Sequence, residues 1–364
     1  MRILVPKEMK TEEARVSLVP DMVFRLVEMG HTVMVQRHAG LGSGFSNEDY
    51  LEQGAILVPC DQALFRLADM VVKVKEPLPD EYHSYREGQT LFTYLHLSGS
   101  PQSLTDMLLE KKMTGIGYET VERKVAGRTV LPLLSPMSRI AGQLAVEEGL
   151  KHIPYPAHKV VILGGGNAGA SALEEAIQRK NLSITIFDKD EQRRRALFEM
   201  GAFRGVEVSV MADVAEDIAR EVKNADLLIG TINVPGNEAP KIVTEAMVQS
   251  MKAHAVIVDV AIDQGGCIWG SRPQPLNHPT YRLEDKTYFC VPNMPSLRPQ
   301  EATMALTTET FPYLCRMLRL GVEAFAREDP GFAKGIQTYQ GHLTHKGVAD
   351  HFQRPYTPLD TLIS

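Results

Sequence analysis

The sequence has few of the features that mark secreted, membrane-spanning or nucleic-acid-binding proteins. Its 364 residues include only 4 cysteines, which are too scattered for a metal site or a redox motif, so free thiols in a reducing cytoplasm are expected. The net charge of −6 provides no basic surface for nucleic acid. No apolar run approaches the ~20 residues that cross a membrane, and residues 1–8 predict a strand rather than a signal peptide. We therefore expect a cytoplasmic protein that binds neither nucleic acid nor membranes.

What the sequence does contain is a glycine-rich turn between two apolar runs, at 160–163 and 183–187. The turn has the pattern Gly-x-Gly-x-x-Gly. Gly164 permits a tight turn, Gly166 lets the backbone approach a pyrophosphate, and Gly169 allows a helix to pack closely on the strand. The free N–H groups at the start of that helix could donate hydrogen bonds to the phosphates. The pattern predicts a dinucleotide site, against the alternative of a purely structural turn.

The second apolar run ends in an acidic residue. Asp188 lies 19 residues after Gly169, and a carboxylate at the end of this strand can accept hydrogen bonds from both ribose hydroxyls of a dinucleotide. The same carboxylate would repel a 2′-phosphate. We therefore predict NAD, rather than NADP, as the cofactor.

On both sides of the turn, short apolar runs alternate with helical patterns, which indicates parallel strands in doubly wound sheets. The region after the turn has enough strands for a six-stranded dinucleotide-binding domain. A helical pattern at 300–327 follows, and the tail after residue 329 has few strand signals. The predicted fold class is α/β, with two Rossmann-like doubly wound domains, a cleft between them, and C-terminal helices that return to the first domain. The predicted domains are a substrate-binding, catalytic domain at 1–128 and 301–364, and an NAD-binding domain at 129–300.

Four charged side chains follow predicted strands, where ligands of open α/β sheets bind. They are Arg15, Lys75, His96 and Asp263. Each alone has a simpler explanation: a solvated cation, a helix-capping histidine or a turn-forming aspartate. Together they could oxidise an amino acid at a nicotinamide, because the two cations can bind a carboxylate, the histidine can exchange a proton, and the aspartate can balance an iminium charge.

Several longer stretches resemble the family of alanine dehydrogenases and transhydrogenase α subunits. They extend over nearly the whole chain, and the most distinctive are Val-Lys-Val-Lys-Glu-Pro at 72–77, Leu-Phe-Thr-Tyr-Leu-His-Leu at 91–97, Val-Asp-Val-Ala-Ile-Asp-Gln-Gly-Gly-Cys at 258–267 and Asn-Met-Pro at 293–295. The resemblance implies NAD-dependent, reversible oxidative deamination of L-alanine to pyruvate and ammonium. Transhydrogenase α subunits typically lack a histidine at the position of His96, so this residue favours the dehydrogenase branch.

The resemblance also implies roles for individual residues. Arg15 and Lys75 would bind the carboxylate of alanine or pyruvate, and His96 and Asp263 would form the acid/base pair. The residues expected to line the NAD site, besides the glycines, are Ser138, Asp188, Arg193, Ile232, Asn233, Val260, Arg272, Val291, Asn293 and Met294. The family is commonly hexameric and sometimes dimeric, so a homo-oligomer is expected, and no metal is.

The sequence departs from the family pattern at 149–159, which is shorter than usual, and at 123–129, which is a little longer. Two alternatives therefore remain. The chain could act on another small amino acid or an imine, or it could be a non-catalytic, transhydrogenase-like NAD-binding module. Three histidines, His342, His345 and His351, could suggest a metal, but no carboxylate or cysteine set accompanies them.

Overall fold

The computed structural model describes residues 1–125, 127–232 and 239–363. The chain divides into two compact units, and each is described by itself. Unit 1 comprises Met1–Pro136 and Arg298–Ser364, and unit 2 comprises Met137–Leu297. The sequence analysis placed the corresponding boundaries after residues 128 and 300.

The strands of the described residues are, in chain order, β1 (Arg2–Val5), β2 (Thr32–Gln36), β3 (Ile56–Val58), β4 (Met70–Val72), β5 (Thr90–Thr93), β6 (Thr114–Gly117), β7 (Arg123–Val125), β8 (Arg128–Val130), β9 (Lys159–Leu163), β10 (Ser183–Phe187), β11 (Val208–Met211), β12 (Leu227–Gly230), β13 (Val256–Asp259), β14 (Thr280–Leu283), β15 (Lys286–Phe289), β16 (Ile336–Tyr339) and β17 (His342–Leu343).

The α-helices of the same residues are α1 (Pro20–Glu28), α2 (Asn47–Glu52), α3 (Gln102–Glu110), α4 (Ser135–Lys151), α5 (Asn167–Ile177), α6 (Glu191–Phe203), α7 (Ala215–Lys223), α8 (Glu245–Ser250), α9 (Pro299–Leu320), α10 (Val322–Glu328), α11 (Pro330–Ala333) and α12 (Lys346–His351). None of these helices is long and apolar enough to cross a membrane.

Unit 1 is built on an 8-stranded sheet with the order β17-β16-β6-β5-β4-β1-β2-β3. The strands from β6 to β3 pair in parallel, whereas β16 and β17 are antiparallel. The parallel strands are apolar because helices cover them: Leu4, Val71 and Leu91 are buried in one cluster with Leu104 and Leu108 of α3. The strand order reverses between β1 and β4, which is where doubly wound sheets bind ligands.

Unit 2 repeats this arrangement in a 7-stranded sheet with the order β11-β10-β9-β12-β13-β15-β14. Its strands pair in parallel, except for the antiparallel pair of β14 and β15. Val161, Leu228 and Ile257 form a buried cluster with Val222 of α7 and Val248 of α8. The strand order reverses between β9 and β12. The predicted α/β fold with two Rossmann-like sheets is therefore confirmed, and the sheet of unit 2 has one strand more than the six expected.

The C-terminal segment returns to unit 1, as expected, but it contributes two strands that the sequence analysis did not anticipate. β16 carries Gln337 and Thr338, which are polar and buried. Thr338 Oγ1 donates to the carbonyl oxygen of Met113 at 3.1 Å, and Gln337 Nε2 donates to Glu119 at 2.7 Å. These hydrogen bonds compensate for the burial of polar side chains in the strand. Because the polar residues interrupt the apolar pattern by which a strand is recognised, the sequence does not indicate β16.

Candidate active site

The glycine-rich turn lies at the carboxyl end of β9, in the middle of the sheet of unit 2. Gly164 has a φ of +90°, a left-handed conformation that side chains disfavour, and its N–H donates to the carbonyl oxygen of Phe187 at 2.9 Å. The N–H of Gly165 donates to Asp188 Oδ2 at 2.7 Å. The turn is thus tied to β10, and the acid at the end of β10 lies directly against it.

The other two glycines have different physical roles. A Cβ on Gly169 would lie 1.8 Å from the carbonyl oxygen of Gly164, so only glycine lets α5 approach the turn this closely. A Cβ on Gly166, by contrast, would meet nothing within 4 Å. Gly166 is the N-cap residue of α5 and, as a glycine, has no side-chain acceptor for the first N–H groups of the helix. Open space beside an uncapped helix N-terminus is the environment that a pyrophosphate needs, so these residues fit NAD.

Asp188 is buried and well held. Its carboxylate accepts from the N–H of Gly165, from the N–H of Asp190 at 2.8 Å, and from Arg193 Nη1 at 3.0 Å. The Arg193 side chain, on the first turn of α6, is 44% exposed. A fixed carboxylate at this point can accept hydrogen bonds from the ribose hydroxyls of NAD. The hydrogen bond from Arg193 holds the carboxylate in its orientation.

The remaining residues predicted for the NAD site are spread along unit 2. Ile232 follows β12 and is half-buried, and a Cβ on Gly164 would lie 3.0 Å from its Cγ1. Val260 follows β13, and Val291 follows β15. Ser138 lies in the first turn of α4, Arg272 is exposed, Met294 is buried, and Asn293 donates through Nδ2 to Ser296 Oγ at 2.5 Å. Asn233 lies outside the described residues.

Asp263 lies on a 3₁₀ turn, Val260–Gln264, and its side chain is exposed. The turn is anchored by Asp259, the buried last residue of β13. Asp259 accepts from the N–H of Ala261 at 3.1 Å and from Ser271 Oγ at 2.7 Å. Burial raises the pKa of Asp259, and these hydrogen bonds oppose that shift. Asp259 is therefore a positioning residue that the sequence analysis did not single out.

In unit 1, Arg15 lies in the loop after β1 and is 2% exposed. Glu13 binds its guanidinium with both oxygens, Oε1 to Nε at 2.7 Å and Oε2 to Nη2 at 2.5 Å. Burial alone would lower the pKa of Arg15, but the Glu13 carboxylate outweighs it and holds that pKa above its ordinary value. The guanidinium is consequently a fixed, permanent cation near the sheet edge.

His96 and Lys75 follow the two neighbouring strands of the same sheet. His96 is exposed, has a left-handed backbone with φ +44°, and stacks on the buried ring of Tyr94, with 5.5 Å between the ring centroids. Glu119, after β6, accepts from the N–H of His96 at 2.8 Å. Lys75 is half-buried, and its carbonyl oxygen accepts from Thr93 Oγ1 at 3.0 Å. Burial raises the pKa of Tyr94, and the nearby Arg15 guanidinium opposes that shift. The loops after β1, β4 and β5 thus carry an arginine, a lysine and a histidine at the side of the sheet where the parallel strands end.

A second charged cluster lies behind this edge and was missed from the sequence. Lys73 is buried, with its Nζ 2.6 Å from Glu81 Oε1 and 3.8 Å from Glu8 Oε2. Glu8 Oε1 accepts from the N–H of Val74 at 2.7 Å, and among the described residues its Oε2 has no hydrogen-bond partner. Burial raises the pKa of Glu8 to about 7, although Lys73 acts in the opposite direction. The motif Val-Lys-Val-Lys-Glu-Pro contains two lysines, and only the fold shows that Lys73 points inward.

The three histidines of the C-terminal segment make local contacts, and that of His351 is with the ring of Phe352. His345 begins α12, and its Nδ1 accepts from the N–H of Val348 at 3.3 Å. His342 Nδ1 lies 3.3 Å from Thr357 Oγ1. Within the described part of the chain, no group of three or more histidine, cysteine, aspartate or glutamate side chains is arranged to hold a metal ion.

Two doubly wound sheets, one of which carries a dinucleotide-type turn, are typical of the oxidoreductases that use a nicotinamide cofactor. The family models of alanine dehydrogenase/PNT match this chain at residues 4–141 for the N-terminal domain and at 145–346 for the C-terminal domain. The chain belongs to this family, as the sequence analysis predicted.

Individual relatives agree with this assignment. The chain is 40% identical to an alanine dehydrogenase of Methanococcus maripaludis, over 100% of both chains, and 39% identical to one of Mycobacterium tuberculosis, over 98% of both. It is similar to a solved L-alanine dehydrogenase with a TM-score of 0.89 and 40% identity, covering 97% of this chain and 99% of that one. A solved transhydrogenase of Sinorhizobium meliloti, 23% identical with a TM-score of 0.79, shares the fold.

The contrast between Gly166 and Gly169 can be tested by adding one methyl group to each. Gly166→Ala should leave the melting temperature unchanged, because its Cβ would meet no protein atom within 4 Å. It should weaken NADH binding by about tenfold or more, roughly 1.4 kcal/mol, because the methyl group would occupy the space through which the pyrophosphate approaches the backbone. Gly169→Ala should lower the melting temperature, because its Cβ would meet the backbone of Gly164. Thermal denaturation and fluorescence titration with NADH measure the two effects. Unchanged NADH affinity in Gly166→Ala would mean that no pyrophosphate approaches this position.

The raised pKa of Glu8 predicts how the free energy of unfolding depends on pH. Because its folded-state pKa is raised from about 4.5 to about 7, the folded protein holds the extra proton across that interval and loses stability as the pH rises through it. Relative to Glu8→Gln, the wild type should lose up to about 3 kcal/mol of unfolding free energy between pH 4.5 and pH 7.

Denaturant unfolding at several pH values measures this difference. Exposed Glu28 provides the control, because Glu28→Gln should follow the wild-type pH dependence. Parallel stability curves for the wild type and Glu8→Gln would show that the Glu8 carboxyl does not titrate in this interval.

Proposed function

We propose that this chain catalyses the NAD-dependent, reversible oxidative deamination of L-alanine to pyruvate and ammonium. The observation that carries the proposal is that Arg15, Lys75 and His96 follow the adjacent parallel strands β1, β4 and β5 in a member of the alanine dehydrogenase/PNT family. A carboxylate-binding pair of cations beside a proton-exchanging histidine suits a small amino acid and its 2-oxo acid.

We assign NAD to unit 2. The N-terminus of α5 at Gly166 would receive the pyrophosphate, and Asp188 would accept from the ribose hydroxyls and disfavour a 2′-phosphate. When bound, NAD supplies the acceptor for the hydride of the substrate Cα, and NADH supplies the donor in the reverse direction. Ser138, Arg193, Ile232, Asn233, Val260, Arg272, Val291, Asn293 and Met294 are assigned to the same site on the basis of the family resemblance.

We assign the substrate carboxylate to Arg15 and Lys75. Glu13 fixes the plane of the Arg15 guanidinium, so little conformational entropy remains to be lost when a carboxylate binds. Lys75 adds a second positive charge. This arrangement orients the Cα of alanine and selects for substrates that carry a carboxylate next to the reacting carbon.

His96 and Asp263 are assigned to acid/base work. The exposed imidazole of His96 would take up and return the protons of the added water and of the departing ammonia, and its stacking on Tyr94 fixes the ring. Asp263, in unit 2, would balance the positive charge of the iminium. Assembly as a hexamer or a dimer and a location in the cytoplasm are also part of the proposal, on the basis of the family resemblance and of the 4 free cysteines.

The reaction is tested by following NADH oxidation with pyruvate and ammonium. Turnover should be fast with pyruvate, slow with larger 2-oxo acids and much slower with NADPH, because Asp188 disfavours the 2′-phosphate. Comparable turnover of another 2-oxo acid would indicate a different amino-acid substrate. NADH binding without turnover of any 2-oxo acid would instead indicate a non-catalytic, transhydrogenase-like module.

Substitutions separate the assigned roles. His96→Ala and Asp263→Ala should each lower kcat by about 100-fold or more, which is within the usual contribution of acid/base catalysis. Arg15→Ala should mainly raise the KM for pyruvate, because it removes binding that the ground state and the transition state share. Steady-state kinetics measure both parameters, and His342→Ala, an exposed histidine outside the site, is the control. Near-normal activity in both His96→Ala and Asp263→Ala would refute the assigned chemistry.

A further inference from the structure

The backbone on both sides of Arg15 is held by two hydroxyl groups from distant parts of unit 1. The N–H of Val16 donates to Thr303 Oγ1 at 3.1 Å. Ser43 Oγ donates to the carbonyl oxygen of Ala14 at 2.9 Å, and the two hydroxyl oxygens lie 2.8 Å apart. The hydrogen bonds therefore connect the residue after Arg15, through Thr303 and Ser43, to the residue before it.

The direction of this chain of hydrogen bonds follows from its two ends. A carbonyl oxygen can only accept and the Ser43 hydroxyl has one hydrogen, so Ser43, in donating to Ala14, accepts from Thr303. The Thr303 hydroxyl thus accepts from the N–H of Val16 and donates to Ser43. Ser43 Oγ also lies 3.2 Å from the carbonyl oxygen of Pro299. The side chains of Thr303 and Ser43 are fully buried. If one hydroxyl were removed, water could therefore not replace it as a hydrogen-bond partner.

The loop is also held sterically. A Cβ on Gly42, the residue before Ser43, would lie 2.7 Å from Ala14 Cβ and 2.9 Å from the carbonyl oxygen of Ala14. Glu13 fixes the Arg15 guanidinium, whereas Ser43 and Thr303 fix the backbone from which it projects. Two independent sets of contacts thus determine where the cation lies.

We propose that Thr303 and Ser43 are positioning residues for Arg15, so that helix α9 sets the affinity of the enzyme for the substrate carboxylate. The inference rests on the proposed role of Arg15 in binding that carboxylate. Neither hydroxyl is assigned a contact with substrate or cofactor. Displacing the Arg15 backbone weakens carboxylate binding without altering the acid/base groups.

The test replaces Thr303 by valine, which keeps the shape of the side chain and removes the hydroxyl. The KM for pyruvate should rise about three- to tenfold, as expected for one buried hydrogen bond that positions a charged group, while kcat and NADH affinity stay near wild type. Thr303→Ser keeps the hydroxyl and should restore the wild-type KM. Ser43→Ala, which breaks the same chain at its other hydroxyl, should raise the KM like Thr303→Val.

Thr307 provides a matched control one turn further along α9. It is equally buried, and its hydroxyl donates within the helix, to the carbonyl oxygen of Thr303 at 2.8 Å. Thr307→Val should therefore leave the KM for pyruvate unchanged, whatever stability it loses. An unchanged KM in both Thr303→Val and Ser43→Ala would overturn the proposal, and so would an equal rise in Thr307→Val.

Arg15→Ala separates this inference from the proposed function. If Arg15→Ala raises the KM for pyruvate, adding Thr303→Val to it should cause no further rise, because both changes act through one cation. A further rise of the full size seen in the single variant would show that Thr303 acts elsewhere. If Arg15→Ala leaves the KM unchanged, the assigned role of Arg15 is wrong and the inference is overturned with it.

Discussion

A parallel sheet that is covered on both faces leaves no room for charge along its strands, and the distribution of polar groups in both units depends on this constraint. Val71 in β4 and Val161 in β9 are buried, as are the strands around them. Charged side chains are therefore confined to the strand ends, and parallel pairing places those ends at one edge. Both units share the strand order 3-2-1-4-5-6 in their parallel part, so each has one crevice where the order reverses.

The edge of unit 1 holds more buried charge than a stable fold requires. Arg15 is paired with Glu13, and Lys73 lies between Glu81 and Glu8. The attraction within such pairs roughly offsets the cost of removing the ions from water, so they contribute little net stability. What they provide is a fixed geometry. Burial is the main cause of the raised pKa of Glu8, and the neighbouring carboxylates of Glu13 and Glu81 raise it further.

The features that could be predicted from the sequence are those with a local cause. Gly164, Gly166 and Gly169 mark the turn because a close backbone approach admits no side chain, and Asp188 follows at a fixed distance because one helix and one strand separate them. The C-terminal strands β16 and β17 were harder to predict. Gln337 and Thr338 in β16 are polar and buried, and no local pattern shows that Glu119 and Met113 supply their partners. Likewise, the sequence analysis singled out Lys75 and not Lys73, and only packing shows that Lys73 is buried between two carboxylates.

The loop that carries Arg15 shows why the rest could not be predicted. Its anchoring hydroxyl belongs to Thr303, which is 287 residues away from Val16 in the sequence. The helical pattern of α9 indicates which face is buried, but not what that face contacts. Once the contact is known, the division of unit 1 into two stretches of chain has a physical reason. Without α9, the N–H of Val16 would lose its acceptor and Ser43 would lose its contacts with Thr303 and Pro299. The geometry of the loop near the start of the chain therefore depends on the packing of the C-terminal stretch.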